Sequence, residues 1–142
     1  MEEFVNMAKI YRHRNNAPDE YIGRIEADDG RVYSEKFGPD TYLGRVDYEK
    51  GEVHAHRHGP DDYLGRVDDE RKIFAHHFGP DHYEARIEKD GRIYRHRRLK
   101  MDEYVGRIQN MRHPVEGAAA WFFFFKPDPD EANTAQPESD AE

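Results

Sequence analysis

The chain has 142 residues, with 30 Asp or Glu against 22 Lys or Arg, a net charge of −8 and no cysteine. That charge repels phosphate backbones at long range and argues against generic nucleic-acid binding, and the lack of cysteine excludes disulfides and thiolate zinc sites. Only 36% of residues are apolar and mean hydropathy is −1.14, a balance that leans toward disorder. However, the 9 Tyr, 8 Phe and numerous Ile and Val are strand formers placed at regular intervals, which points to a thin all-β domain.

Met1-Glu2-Glu3 opens without a basic or apolar leader, so no secretory signal is expected and the cytoplasm is the expected location. From residue 9 to residue 108 a unit of about 21 residues recurs around five times,. Its first landmark is Tyr21-Ile22-Gly23-Arg24-Ile25, followed by Tyr42-Leu43-Gly44-Arg45-Val46, Tyr63-Leu64-Gly65-Arg66-Val67, Tyr83-Glu84-Ala85-Arg86-Ile87 and Tyr104-Val105-Gly106-Arg107-Ile108. Midway between these lie Ile10-Tyr11-Arg12-His13, Val32-Tyr33-Ser34-Glu35, Val53-His54-Ala55-His56, Ile73-Phe74-Ala75-His76 and Ile93-Tyr94-Arg95-His96. Each segment has the length and β-branched or aromatic character of a strand.

Two kinds of connection alternate between the segments. One is acidic, as in Asp28-Asp29-Gly30 and Lys89-Asp90-Gly91, where glycine supplies the positive φ of a tight hairpin turn. The unit at Asp68-Asp69-Glu70-Arg71 lacks the glycine. The other is Gly38-Pro39-Asp40, Gly59-Pro60-Asp61 and Gly79-Pro80-Asp81, in which proline ends a strand. Short connections make neighbouring strands antiparallel. Ten to twelve short strands would leave exposed edges in a flat sheet, so the hairpins are expected to close into a ring, a flower or a barrel-like meander. Lys9 to Arg14 closely matches Arg92 to Arg97, so the first and last units present similar surfaces, which favours closure.

These segments resemble the bacterial hairpin-repeat domains described as β-flowers, over residues 4 to 125. More loosely, Glu88-Lys89-Asp90-Gly91-Arg92-Ile93 is similar to a stretch of the YD repeats, whose long secreted arrays this chain is too short to build. The β-flower resemblance implies a fold without an activity.

Three columns of the repeat bear on function. Arg24, Arg45, Arg66, Arg86 and Arg107 recur in every unit. They either pair with turn aspartates such as Asp40, Asp61 and Asp81 and lie on tyrosine faces, or line a pocket for an anion. Gly23, Gly44, Gly65, Ala85 and Gly106 mark close packing, with a ring from an adjacent strand, such as Tyr33 or Phe74, as the expected cover. His13, Glu35, His56, His76 and His96 share one position. They are either a solvated face or, at small radius, a ring able to bind Zn²⁺ or another transition metal. His54, His56 and His58 add a local alternate-residue set,.

Residues 117–125, from Gly117 through Trp121 to Phe125, break the pattern. They read as a buried aromatic closing strand or plug, with an oligomer interface or a lipid contact as alternatives. The run is far too short to span a membrane. Residues 126–142 hold six carboxylates against one lysine and read as a disordered acidic tail. No catalytic constellation stands out. The expectation is a non-enzymatic binding or scaffold module that meets itself or a protein partner. Behind it stand a metal-binding protein using the histidine column and an enzyme with a pocket at the ring centre.

Overall fold

In the computed structural model, which describes residues 7–35, 39–77 and 79–127, ten antiparallel strands close into a barrel. Long strands alternate with short ones. The long ones carry the Tyr-Leu-Gly-Arg-Val segments: β2 (Glu20–Glu26), β4 (Thr41–Asp47), β6 (Asp62–Val67), β8 (His82–Ile87) and β10 (Glu103–Gln109). Between them run β1 (Met7–Arg12), β3 (Arg31–Ser34), β5 (Glu52–Ala55), β7 (Lys72–Ala75) and β9 (Arg92–Arg95). Each strand pairs with its sequence neighbours, and β1 pairs with β10 in the register Ile10↔Ile108. No edge is left open to template aggregation.

The turns follow from backbone demands. Gly30, Gly51 and Gly91 take φ of +73°, +69° and +96°, and where the third unit lacks glycine Arg71 is held at +64°, a conformation that disfavours a Cβ. The carbonyl at that position accepts the amide of the next unit's strand: Gly30 from Val46, Gly51 from Val67, Arg71 from Ile87 and Gly91 from Ile108. The acidic turns thus stitch one hairpin to the next around a single rim.

Every long strand bulges at the residue before its small one. The register shifts in all five pairings, for example between Val32↔Gly44 and Tyr33↔Tyr42, so that Leu43 is the extra residue. The freed carbonyls of Ile22, Leu43, Leu64, Glu84 and Val105 accept the amides of Glu35, His56, His76, His96 and His13. A bulge shifts side-chain parity and sharpens strand curvature, and repeated bulges help a sheet of short strands to close.

The bulges sort each unit by direction. Gly23 and Ile25 are buried toward the lumen, so Arg24 between them faces outward, as does Tyr21 on the other side of the bulge. One layer of the lumen is lined by β-branched cross-strand pairs, among them Ile25↔Val32, Val46↔Val53 and Ile87↔Ile93. The next layer is nearly stripped of side chain: Gly23↔Ser34, Gly44↔Ala55 and Gly65↔Ala75, with Ala85↔Arg95 and Gly106↔Arg12 completing it.

After β10 the chain turns into the lumen. Helix α1 (Pro114–Ala120) begins there, with His113 Nδ1 accepting the Val115 N–H and proline in the first turn, both favourable at a helix start. One turn of π-helix follows, Trp121–Phe125. Segment 117–125 is therefore helical: of the two readings its aromatics allowed, a closing strand or a plug, it is the plug. Val115, Ala118, Ala119 and Ala120 are fully buried, and a helix that is apolar apart from Glu116 belongs inside,. Small residues are required at this depth because the Ile and Val layer fills the wall: a Cβ on Gly117 would come within 2.6 Å of Ile87. The acidic tail from residue 128 onward lies outside the described residues.

Candidate functional site

The π turn fits the repeat one residue per unit. A Cβ built on Gly65 would overlap the Phe122 ring, one on Gly44 the Phe123 ring, one on Gly23 the Phe124 ring and one on Gly106 the Phe125 ring. The fourth unit is met by Trp121, whose indole N–H donates to Glu84 at 3.0 Å. Successive residues from Trp121 to Phe125 therefore visit the fourth, third, second, first and fifth units in order. A side chain every fifth of a circuit is too slow a rotation for an α-helix at about 3.6 residues per turn. The wider i→i+5 spiral keeps step, and it is closed by the Lys126 N–H on the Trp121 carbonyl at 2.7 Å. The glycine column is covered by these rings, and not by Tyr33 or Phe74, whose contribution there is backbone carbonyl oxygen.

The one unit with Glu84-Ala85 in place of Leu-Gly is also accounted for. The Glu84 carboxylate accepts the Trp121 indole N–H, and the Lys126 ammonium donates to it at 3.0 Å. Leucine there would leave a buried indole donor unpaired. Glu84→Leu, although it restores the repeat, is expected to lower stability by about 1–3 kcal/mol. Chemical denaturation followed by the fluorescence of Trp121, the single tryptophan, measures this.

At the other end of the plug Glu116, fully buried, accepts the Tyr48 hydroxyl at 2.6 Å and the Arg112 N–H at 2.8 Å. Burial first, and then this carboxylate, raise the Tyr48 phenol above its ordinary value. The pair ties the second acidic turn to the helix start. Arg12 secures the far end, donating to the Phe124 carbonyl at 3.1 Å and lying over the Phe125 ring.

The arginine column stands on the outer wall and is committed there. Each guanidinium reaches the aspartate of a following turn: Arg24–Asp40, Arg45–Asp61 at 3.3 Å, Arg66–Asp81 at 3.0 Å, Arg86–Asp102 at 2.8 Å and, across the closure, Arg107–Asp19 at 2.9 Å. Four of them also stack on a neighbouring ring: Arg24 on Tyr33, Arg66 on Phe74, Arg86 on Tyr94 and Arg107 on Tyr11.

The histidine column shares those aspartates. His13, His76 and His96 turn Nδ1 to the second oxygen of Asp19, Asp81 and Asp102, at 3.6, 3.9 and 3.2 Å. Each imidazole covers a tyrosine of the preceding landmark, His56 on Tyr42, His76 on Tyr63, His96 on Tyr83 and His13 on Tyr104, with centroids 4.1–4.9 Å apart. In the first unit Glu35 bonds Arg24 instead. The column is thus spread around the outside, one member per unit, and among the described residues no three His, Cys, Asp or Glu side chains could hold a metal ion. His54 lies by Tyr63 and Glu52 on this same surface.

These carboxylates make stability pH-dependent. The Asp19 carboxyl is held below its ordinary value of 3.8 by its hydrogen bond from Arg107, against partial desolvation. Desolvation opposes ionisation of Asp102, and is outweighed by Arg86, the Arg97 N–H and His96. A carboxyl depressed in the folded state contributes stability that is complete above its unfolded value and is lost as pH falls through its folded one. The melting temperature is therefore expected to drop on acidification below about pH 4, and Asp102→Asn to flatten that drop.

The pattern opens at the first unit. A cleft of about 640 Å³ lies over β10, β1 and β2, lined by Met7, Lys9, Tyr21, Arg24, Glu26, Glu35, Gln109 and Asn110. Tyr21 at its floor is 36% exposed. No family model, curated protein or solved structure matches the chain. Its class rests on its own geometry: a ten-stranded antiparallel hairpin-repeat barrel with a helical plug.

Proposed function

We propose that this protein is a non-catalytic binding or scaffold module of the β-flower type, which self-associates or meets a protein partner through its outer wall and rims. The observation that carries this reading is the occupied lumen. Residues 115–125 fill the space where a barrel of this size would otherwise hold a ligand, which supports a module that works through its outer surface. The belt of Arg, Asp, His and Tyr faces outward and is linked by ion pairs and ring contacts, a surface suited to recognition.

Self-association is supported by the β9–β10 loop. Where other units carry Gly-Pro-Asp, this loop presents Leu99 and Met101 at 67% and 85% exposure. Sedimentation of the full chain over a range of concentrations is expected to show a reversible oligomer that the double substitution Leu99→Ser, Met101→Ser weakens. A monomer at every concentration would refute the self-association.

A further inference from the structure

The five units act as internal controls for one another, and they differ at the cleft. In four of them the outer tyrosine carries an imidazole on its ring: Tyr42 with His56, Tyr63 with His76, Tyr83 with His96 and Tyr104 with His13. In the first unit Glu35 stands at the histidine position and turns away to bond Arg24. Tyr21 keeps its other neighbour, the Tyr11 ring at 5.5 Å, but among the described residues no ring takes the place of the histidine. The Lys9 ammonium, 5.8 Å from the Tyr21 centroid, does not take that place. Its counterparts Arg31 on Tyr42 and Lys72 on Tyr83 coexist with the ring contacts of His56 and His96.

Among the described residues the charge around this place is negative. The single guanidinium of Arg24 serves the carboxylates of Glu26, Glu35 and Asp40, and the nearby Lys9 offsets only part of the excess. Burial, and after it Glu35, push the Tyr21 phenol up to about 12, in keeping with a negative, partly desolvated setting. An aromatic face beside surplus carboxylate is the arrangement that attracts a flat cation.

We propose that the cleft at Tyr21 and Glu35 is a binding site for a planar organic cation, an imidazolium or a guanidinium, which takes the place against the tyrosine ring that histidine fills in the other four units. The cation is either a free small molecule or the His or Arg side chain of a protein partner. This deepens the reading of the outer wall as a recognition surface and rests on it, but not on self-association, since a monomer could carry the same site.

The test uses isotope-labelled full-length protein titrated with methylguanidine and, near about pH 6, with imidazole, with sodium acetate as the anionic control. Saturable shifts confined to Tyr21, Glu35 and their neighbours are expected with both cations and not with acetate. A short Arg-containing peptide that binds tighter than methylguanidine assigns the site to a partner side chain, and equal affinity assigns it to free cations. Glu35→His rebuilds the pattern internally and is expected to fold and to abolish binding. Tyr21→Leu removes the ring and should weaken binding roughly tenfold, the scale of one cation–π contact. Absence of saturable shifts in the wild type would overturn the proposal, as would full binding in Glu35→His. If that variant does not fold, unchanged affinity in Tyr21→Leu overturns it equally.

Discussion

A chain ended at Gln109 is expected to lose the native fold altogether. The barrel wall would survive that cut in sequence but not in energy. Its lumen is lined by Ile25, Val32, Val53, Ile73, Ile87 and Ile93, all essentially without solvent exposure, and these pack on α1 and the π turn. Removing the plug takes away Val115, Ala118, Ala119, Ala120 and Trp121, themselves buried to 2% exposure or less, and with them the four phenyl rings. At about 1.5–3 kcal/mol for each large side chain buried, the five aromatics alone contribute on the order of 10 kcal/mol. That is comparable to the whole stability of a small domain, about 5–15 kcal/mol. An open tube of Ile and Val cannot be left dry and empty at that cost, and the wall cannot shrink because its strand pairing closes all the way around. Amide spectra of the truncated chain should collapse to narrow dispersion, and heating should give no cooperative transition. A dispersed spectrum with a sharp melt would mean that the wall stands alone and that the tail is an accessory.

The second large effect concerns how ring and glycine fit together. Phe123→Ala is expected to cost about 3 kcal/mol, at the lower end for phenylalanine because the ring is only partly buried,. Gly44→Ala errs the other way. Its Cβ would come within 2.6 Å of the Phe123 ring and would overlap the His54 carbonyl oxygen, which should cost about 1–3 kcal/mol. Combined, the two changes partly cancel, because the new methyl enters the space the ring has left. The double variant should be more stable than the sum of the singles implies, by about 0.5–3 kcal/mol. It should still fall below the wild type, since the carbonyl contact remains. Denaturant titration of the four proteins gives the coupling directly, and strict additivity would show that the Phe123 ring does not lie over Gly44.

Much of the wall was legible in the sequence because the repeat prints each physical demand five times. The spacing of the tyrosines, glycine in the acidic turns, proline in the others and the match of Lys9–Arg14 to Arg92–Arg97 were enough for a closed antiparallel meander. The pairing of arginines with Asp40, Asp61 and Asp81 could be anticipated too, since guanidinium is the natural partner for a carboxylate one turn away.

The bulges were less visible. Small residues at Gly23, Gly44, Gly65 and Gly106 signal either close packing or a bulge, and here they mean both. Without the bulge, alternation along the strand gives the wrong parity for everything before the glycine. For that reason the facing of the tyrosine and histidine columns could not be read from spacing.

The segment read as a closing strand or a plug, and the choice between the two was not legible. Phe and Trp favour strands, but the sequence also carried helix signals: His113-Pro114 at the start and the run Ala118-Ala119-Ala120, strong at the first turn and in the interior respectively. The aromatic run lacks the polar alternation of a half-exposed strand, and the ring of units offers four glycine notches for four phenyl rings and Glu84 for the Trp121 indole. That correspondence becomes visible only once the wall is known to be closed.

The direct test of the account is proton NMR of the folded protein, read at the four glycines. A phenyl ring lying over an α-carbon shifts its protons upfield and gives strong cross-relaxation to them. The account predicts upfield α-protons at Gly23, Gly44, Gly65 and Gly106, with contacts to Phe124, Phe123, Phe122 and Phe125 in that order and to no other rings. Ordinary glycine shifts without those contacts, or contacts in a different order, would contradict the threading of the tail through the barrel.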